Sequence, residues 1–468
     1  MQGRRTAADQ HQQHARADAP ARAGRRGGRR TGGAADGRPA HRRRERLMTG
    51  RPAVAVVDGF GSAARLAKAF DAAGHDCVRV QSTVDIPAHY RSELDLGLYT
   101  DNLVHTSDVE ATAAALLAGH RPVAVIAGSE QGVELADALC EATGLPGNGT
   151  ALSYARRTKD VQIRTVAAAG LPTARQLTVE DADQLEAWHT RLGGRAVVKP
   201  VRSARNDGVS VCDSPAESVA AYERIRHAVN EFGLRNEAVV AQEYLTGTEF
   251  VVNTVSRDGR HRVTDTWRYQ KIDVNGVRDR INGILSLPPS DPRWSPLRDY
   301  ALAVLDALGI AHGPAHLEII LTPDGPRLVE VGARLCGSDV ARYAVLATGE
   351  SQIDRTVQAY TDPEAFLADV DTPYRANGHA AMAFLASPLE GRLRSYPLLG
   401  EVERLAAYQG MTLRVTPGQR LRRTVDDSTE PLCVGLAHAD AATVEKDFQT
   451  VCYLDGHGFY DVEPDHGA

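Results

Sequence analysis

The sequence predicts an α/β protein of two or three domains, and three observations carry that expectation. Near the start of the ordered pattern, "AVAVV" (53–57) is followed by "DGFGSAARLAKAFDAAG" and then "HDCVRVQ", the strand, turn, helix and strand of a βαβ unit. The middle of the chain holds a series of strand-like runs, "AVVAQEYL", "TEFVVNTVS", "HRVTDTWRYQ", "HLEIIL" and "RLVEV", set among helical patterns. The chain has 468 residues, 43% hydrophobic and 24% charged, the make-up of a globular protein with room for more than one core.

Residues 1–48 stand apart from this pattern. Residues 1–47 hold 13 Arg against four Asp or Glu and almost nothing to bury, so the segment is expected to be a disordered tail. Met48 is then a natural first residue, and removing 1–47 is expected to leave activity and stability unchanged. An arm that binds nucleic acid is the functional alternative, and the balance of the reading is against a nucleic-acid partner.

Residues 52–150 form a three-layer α/β domain, its second βαβ unit ending in "PVAVIAGSEQGVELADALCEATGL" and closing at "LPGNG". Gly59-Phe60-Gly61 invites a dinucleotide site, but the second strand, "CVRVQS", ends without the acidic residue such a site needs. A plain α/β module is the better reading. The domain over 155–362 then opens with "RRTKDVQIRTVAAAGLPTAR", a helix stopped by Gly170 and Pro172. "RAVVKPV" is a strand ending near Lys199, "RSARNDGVSVC" is a polar loop holding Gly208, and "SPAESVAAYERIRHAVNEFG" is a helix with Ser214 as cap, Pro215 first and Glu217 at the capping-box position. A smaller α/β region with strands and helices follows over 378–462.

Composition also excludes functions. No apolar run approaches the ~20 residues of a membrane span, and no apolar leader stands near Met1. A cytoplasmic protein with no membrane partner is expected. The six cysteines lack metal or disulfide spacing and read as reduced thiols.

The chemistry starts from a hairpin. In "HLEIILTPDGPRLVEV" a turn centred on Asp324 places Glu318 directly across from Glu330, with Cβ atoms about 5 Å apart. Two facing carboxylates repel unless a divalent cation sits between them, and all-oxygen donors favour Mg²⁺ or Mn²⁺ shared with phosphates. The alternative is a solvated hairpin face. Glu330, Gly332 and Arg334 share that face by strand alternation, as do Glu318 and His316, which makes His316 a candidate neighbour of the site, although a structural role is the reading favoured for it.

The lysines are the second clue, since the chain has only five: 68, 159, 199, 271 and 446. Lys199, at a strand end before a glycine-containing loop, suits a phosphate under a mobile cover, and Lys159 lies on a helix upstream. "QEYLTGTEF" offers an extended segment, Gln242, Glu243, Tyr244 and Leu245, that suits an adenine edge, and Glu249 suits ribose hydroxyls. "TDTWRYQK" is assigned to the substrate side: Arg268 or Lys271 to fix a carboxylate, Trp267 or Tyr269 to wall a pocket. Ser338, four residues past Arg334, is a candidate for sizing the pocket.

In their order these residues resemble the ATP-grasp family, and within it the carboxylate–amine ligases that join L-amino acids into dipeptides. The resemblance covers roughly 52–462, and "AHLEIILTPDGPRLVEVGARLCGSD" is its most specific stretch. It implies a three-layer pre-ATP-grasp domain, an ATP-grasp domain over 155–362 with its lid at about 172–245, and a small C-terminal α+β lobe. It further implies ATP with Mg²⁺ or Mn²⁺, phosphates held by Lys159 and Lys199, a closing loop at 202–208, adenine at 242–245 and ribose at Glu249. Glu318 and Glu330 would hold the metal, and Arg334 would meet the reacting acyl group, with Gly332 leaving a gap for the acyl phosphate. Many family members carry Asn where this chain has Gly332. The "EVGAR" form resembles the amino-acid ligase branch and leaves the coordination of a second metal open.

The implied reaction joins a carboxylate, an L-amino acid, to the amine of a second one, releasing ADP and phosphate. Partners are thus small molecules, and a homodimer is compatible with the sequence. Rivals are an ATP-grasp ligase with a peptide or thiol acceptor, a nucleotide-binding protein without turnover, and a nicotinamide oxidoreductase resting on Gly59 and Gly61.

Overall fold

The computed structural model describes residues 50–463 apart from 85, 87, 92, 93, 204, 205, 231 and 232. The Arg-rich tail and its expected disorder therefore lie outside the described residues, as does part of the 202–208 loop.

Four parallel strands, β1 (Ala53–Val57), β2 (Asp76–Gln81), β3 (Asp101–Val104) and β4 (Pro122–Ala127), make the first sheet in the order β3-β2-β1-β4. All five residues of β1 are buried, because helices cover both faces. Val54 and Val56 pack with Leu66 and Phe70 of the helix Ser62–Ala72, while Ala55 and Val57 pack with Leu135 and Leu139 of the helix Val133–Thr143. Gly59 serves this packing rather than a dinucleotide: a Cβ there would stand 2.0 Å from the Tyr99 hydroxyl, which donates to the Gly59 carbonyl at 3.2 Å.

A second sheet, in the order β5-β8-β6-β7, is built of β5 (Gln176–Val179), β6 (Ala196–Pro200), β7 (Ser210–Cys212) and β8 (Val239–Glu243). Its helix Pro215–Ile225 is capped by the Ser214 hydroxyl as expected, but it stops at Ile225, short of Gly233. The Glu217 carboxylate accepts from the Asp213 amide at 2.8 Å, one residue before the position a capping box requires.

The eight-stranded central sheet contains β9 (Thr248–Arg257), β10 (Arg260–Val274), β11 (Val277–Ser286), β12 (Gly313–Thr322), β13 (Gly325–Gly332) and β14 (His379–Phe384). A small separate sheet joins β15 (Gly391–Ser395), β17 (Arg420–Leu421) and β19 (Asp461–Glu463). The strands β16 (Tyr408–Leu413) and β18 (Leu432–His438) instead extend the central sheet, whose order is β13-β12-β9-β10-β11-β14-β18-β16. One face of its β12–β9 part buries Phe250, Val252, Leu317 and Ile319 against Leu297, Ala301 and Val304 of the helix Trp294–Ala307. Strand alternation turns Glu249, Asn253, His316 and Glu318 to the opposite face.

The helix expected over "RRTKDVQIRTVAAAGL" is broken at Thr158, which is extended at φ −114 and ψ 108. It gives two helices, Ser153–Arg157 and Lys159–Ala168. Arg156 is the physical cause on one side: its buried guanidinium donates to Asp137 at 2.8 Å and to the carbonyls of Asn148, Gly149, Leu308 and Gly309. On the other side the Lys159 amide donates to the Val201 carbonyl at 3.0 Å. The break sets Lys159 at the first turn of a new helix, beside the loop that follows β6.

Candidate active site

Glu318 and Glu330 are direct partners in the β12–β13 ladder. The route to that register differs from the expected turn. Thr322 pairs with Gly325 and Ile319 with Leu328, so the turn is the two residues Pro323 and Asp324, and an extra residue, Val329, shifts the register before Glu330. Lys159 Nζ lies 2.7 Å from Glu330 Oε2 and donates to the Ser203 carbonyl at 2.8 Å. The Tyr269 hydroxyl donates to Glu318 Oε1 at 2.9 Å. Burial opposes charge on Glu318, but His316, Tyr269 and Lys271 outweigh it and hold its pKa down at about 2.

Lys199 lies on β6 with 5% of its surface exposed. Burial lowers its pKa to about 8, and Lys159 adds repulsion, against the pull of Glu330, Glu318 and Glu249. Gly208, in the loop after β6, has φ +74, and a Cβ there would stand 2.9 Å from Pro200 Cγ. Only glycine lets the loop cross so close to the strand that carries Lys199.

Arg334 sits two residues past the end of β13, with Nε 3.0 Å from Glu130 Oε2 and Nη1 donating to the Leu335 carbonyl. Glu130 also accepts from Arg157 Nη1 at 2.9 Å. Burial opposes charge on Glu130, yet Arg334, Arg157 and Lys159 outweigh it and lower its pKa. The space over Gly332 is therefore not an open gap: a Cβ there would meet Glu130 Oε2 at 2.9 Å and Arg334 Cζ at 3.0 Å. Asp339, the carboxylate five residues further along the chain, pairs with Arg65 at 2.9 Å.

The remaining predicted residues divide. Glu249 is buried and meets Lys271 Nζ at 2.5 Å, which puts Lys271 on the Glu249 side rather than free to receive a substrate carboxylate. His316 is buried, with Nε2 3.4 Å from Glu318 Oε1. Burial disfavours charge on this ring, but Cys336 and Glu318 outweigh it and raise its pKa to about 10. Arg268 does not join the site. It pairs in register with Phe250, on the face away from Glu249, and reaches Glu445 at 3.2 Å. Trp267 is fully buried, packed with Val251, Ile284 and Tyr343, and lines a small cavity with Leu287 and Tyr374.

In the 242–245 segment, Gln242 is buried on β8 and donates to Gln176, and Glu243 is held by the Arg175 side chain at 2.5 Å. Tyr244 donates to Asp279 at 2.6 Å, and Leu245 is partly buried. Ser338 is exposed at φ +54, its carbonyl accepting from Arg65 Nη1 at 2.7 Å.

Sequence reasoning did not single out Glu130, Arg157 or Asn253. Glu130 lies in the short "GSEQG" loop of the first domain, and nothing local marks it. Strand alternation, carried one strand beyond the hairpin, would have found Asn253 opposite His316.

The donor set fits a divalent cation shared with phosphates. Glu318 and Glu330 present facing oxygens on a rigid ladder, with Lys159 already supplying positive charge at Glu330. Among the described residues no group of three or more His, Cys, Asp or Glu is placed to hold a metal. The other ligands of such a cation would be phosphate oxygens and water.

Residues 194–341 match the ATP-grasp domain family. The chain is 32% identical over 360 residues to dapdiamide A synthase of Enterobacter agglomerans, covering 75% of this chain and 84% of that protein. It is 23% identical over 243 residues to an L-arginine-specific L-amino acid ligase of Bacillus subtilis, covering 51% of this chain and 56% of that protein. The fold matches the crystal structure of an L-amino acid ligase from Bacillus licheniformis with a TM-score of 0.69 and 18% identity, over 89% of this chain and 100% of that one.

Proposed function

Because the chain belongs to the ATP-grasp family of carboxylate–amine ligases, we propose that it joins the carboxylate of one amino acid to the amine of another. A substrate carboxylate oxygen attacks the γ-phosphorus of ATP, the bond to the β-phosphate oxygen breaks, and an acyl phosphate and ADP result. The amine of the second substrate then attacks the acyl carbon, loses a proton, and phosphate leaves. Phosphoryl transfer of this kind is catalysed mainly by positioning and charge neutralisation.

We assign each role to a named group. Lys159 and Lys199 hold phosphates, and the loop carrying Gly208 covers them so that water does not hydrolyse the acyl phosphate. The segment Gln242 to Leu245 takes the adenine and Glu249 the ribose. Glu318 and Glu330 hold Mg²⁺ or Mn²⁺, which when bound neutralises phosphate charge. Arg334, held over Gly332 by Glu130, donates to the acyl oxygen as negative charge grows on it. Lys159 on Glu330 and Lys271 on Glu249 must give up these pairings when nucleotide arrives. Both partners being small molecules, no membrane is needed, and among the described residues no helix is long and apolar enough to cross one.

The observation that carries this reading is the facing pair Glu318 and Glu330 with Lys159 and Lys199 beside it. The test is to incubate the protein with ATP, Mg²⁺ and a matrix of amino-acid pairs, following phosphate release and product mass. ADP and phosphate should form only when both substrates are present. AMP and pyrophosphate would overturn it.

A further inference from the structure

Behind Glu318 runs a chain of buried polar side chains. Asp265 of β10 is 2% exposed, and its Oδ1 accepts from Trp267 Nε1 at 2.6 Å and from Asn253 Nδ2 at 2.5 Å. Asn253 is 0% exposed, and its Oδ1 lies 2.9 Å from His316 Nδ1. The sheet places these residues in line: Asp265 opposite Asn253, and Asn253 opposite His316.

The donor directions along this chain are forced. An indole N–H only donates, so Asp265 Oδ1 is an acceptor, and Asn253 must turn its NH₂ end toward it. The Asn253 carbonyl oxygen then faces His316, so His316 Nδ1 carries a proton. Nε2 is left as the ring atom that faces Glu318 Oε1, at 3.4 Å. Tyr269 reaches the same oxygen at 2.9 Å.

We propose that Asn253, oriented by Asp265, is a positioning residue that fixes the ring of His316 with Nε2 toward Glu318, and thereby holds Glu318 opposite Glu330. The consequence for turnover rests on the ligase reading above; the ring orientation does not. A buried carboxylate accepting from Thr264, Trp267 and Asn253 could otherwise serve only to knit strands together, and the two roles give different results.

The experiment uses the full chain without nucleotide or metal. Long-range ¹H–¹⁵N spectra of the wild type should show an Nδ1-bound proton of His316 in slow exchange with water. A neutral ring protonated only at Nε2 would overturn the proposal with no variant needed. Asn253→Ala should lose that slowly exchanging proton. In turnover assays it should lower kcat and raise the Mg²⁺ concentration for half-maximal rate, each by about 10- to 100-fold, the usual size of such outer-shell effects. Asp265→Asn keeps an acceptor facing Trp267 and Asn253, so it should retain the Nδ1 proton and stay within about threefold of wild type in both constants. Asn253→Ala with reduced thermal stability but wild-type kcat and Mg²⁺ dependence would show packing alone and refute the proposal. Complete lack of ligase turnover in the wild type would count against the ligase reading, while the ring spectrum would still decide the orientation.

Discussion

Glu318 stands directly opposite Glu330 because a bulge at Val329 corrects the one-residue offset left by the Pro323–Asp324 turn. Without the bulge the two carboxylates would fall on opposite faces of the hairpin. In its place Glu330 is met by Lys159 at 2.7 Å and Glu318 by Tyr269 at 2.9 Å, so each carboxylate has a partner before any cation arrives. Glu330→Gln should therefore fold, since Lys159 keeps the Ser203 carbonyl as an acceptor. It should abolish Mg²⁺-dependent phosphate release, and thermal unfolding beside a turnover assay checks both parts. A near-normal rate with normal metal dependence would mean that the facing carboxylates are not the metal site.

Lys199 makes nucleotide affinity depend on pH. Burial and Lys159 lower its pKa to about 8, although Glu330, Glu318 and Glu249 pull the other way. A depressed lysine loses its charge as pH rises through that value, so in the free protein it is charged at pH 7 and mostly neutral above about pH 9. Phosphate oxygens favour the charged form, so binding in the alkaline range must take up a proton. ATP affinity should be nearly constant below about pH 7.5 and then weaken by up to about tenfold per pH unit. Titration calorimetry at about pH 9 in buffers of different ionisation enthalpy should register the uptake, and Lys199→Met should remove it. Affinity that is flat across this range would exclude Lys199 as the phosphate ligand.

How much of this was legible in the sequence depended on how far apart the interacting residues lie in the chain. The pairing of Glu318 with Glu330 is local, and alternation with one turn is enough to reach it, although here a two-residue turn and a bulge gave the register expected from a turn centred on Asp324. The buried character of Lys199 followed from "AVVKPV". Glu130 was not legible, because its meeting with Arg334 joins residues about 200 apart through packing of the first sheet's loops on the end of β13. Arg268 was misplaced for a simpler reason. Offering Arg268 as well as Lys271 for the substrate carboxylate ignores alternation, since Arg268 of β10 pairs with Phe250 of β9, on the face away from Glu249. The break at Thr158 was hidden because it is imposed by distant carbonyls that Arg156 reaches, not by a helix-breaking residue.

Arg334→Ala should lower kcat at least about a hundredfold while ATP binding changes little. Loss of one donor to a developing oxyanion typically costs about 10²- to 10³-fold, and the nucleotide is held elsewhere, by Lys159 and Lys199. Arg334 is not tied to a surface carboxylate, since Asp339 belongs to Arg65. Glu130 keeps Arg157 at 2.9 Å, so the variant does not strand it without a counter-ion. Retention of more than a third of wild-type kcat, or loss of ATP binding, would refute the assignment.

Gly332→Ala tests the same arginine without touching it. The added Cβ would stand 2.9 Å from Glu130 Oε2, 3.0 Å from Arg334 Cζ and 3.2 Å from Arg334 Nε. Glu130 is pinned by Arg157, so the guanidinium of Arg334 is the group that must yield. The backbone at 332 is not in the left-handed region, so the cost is steric, about 1–3 kcal/mol for an overpacked methyl. Stability should drop modestly and ATP affinity should hold. A displacement on the order of 1 Å at a reacting group can cost about a hundredfold, so kcat should fall by at least about tenfold. The control is the double variant with Arg334→Ala. If the methyl acts through the arginine, it should add almost nothing to the loss already caused by Arg334→Ala, because the group it displaces is gone. Losses that multiply across the two changes would instead show that Gly332 shapes the site independently of Arg334.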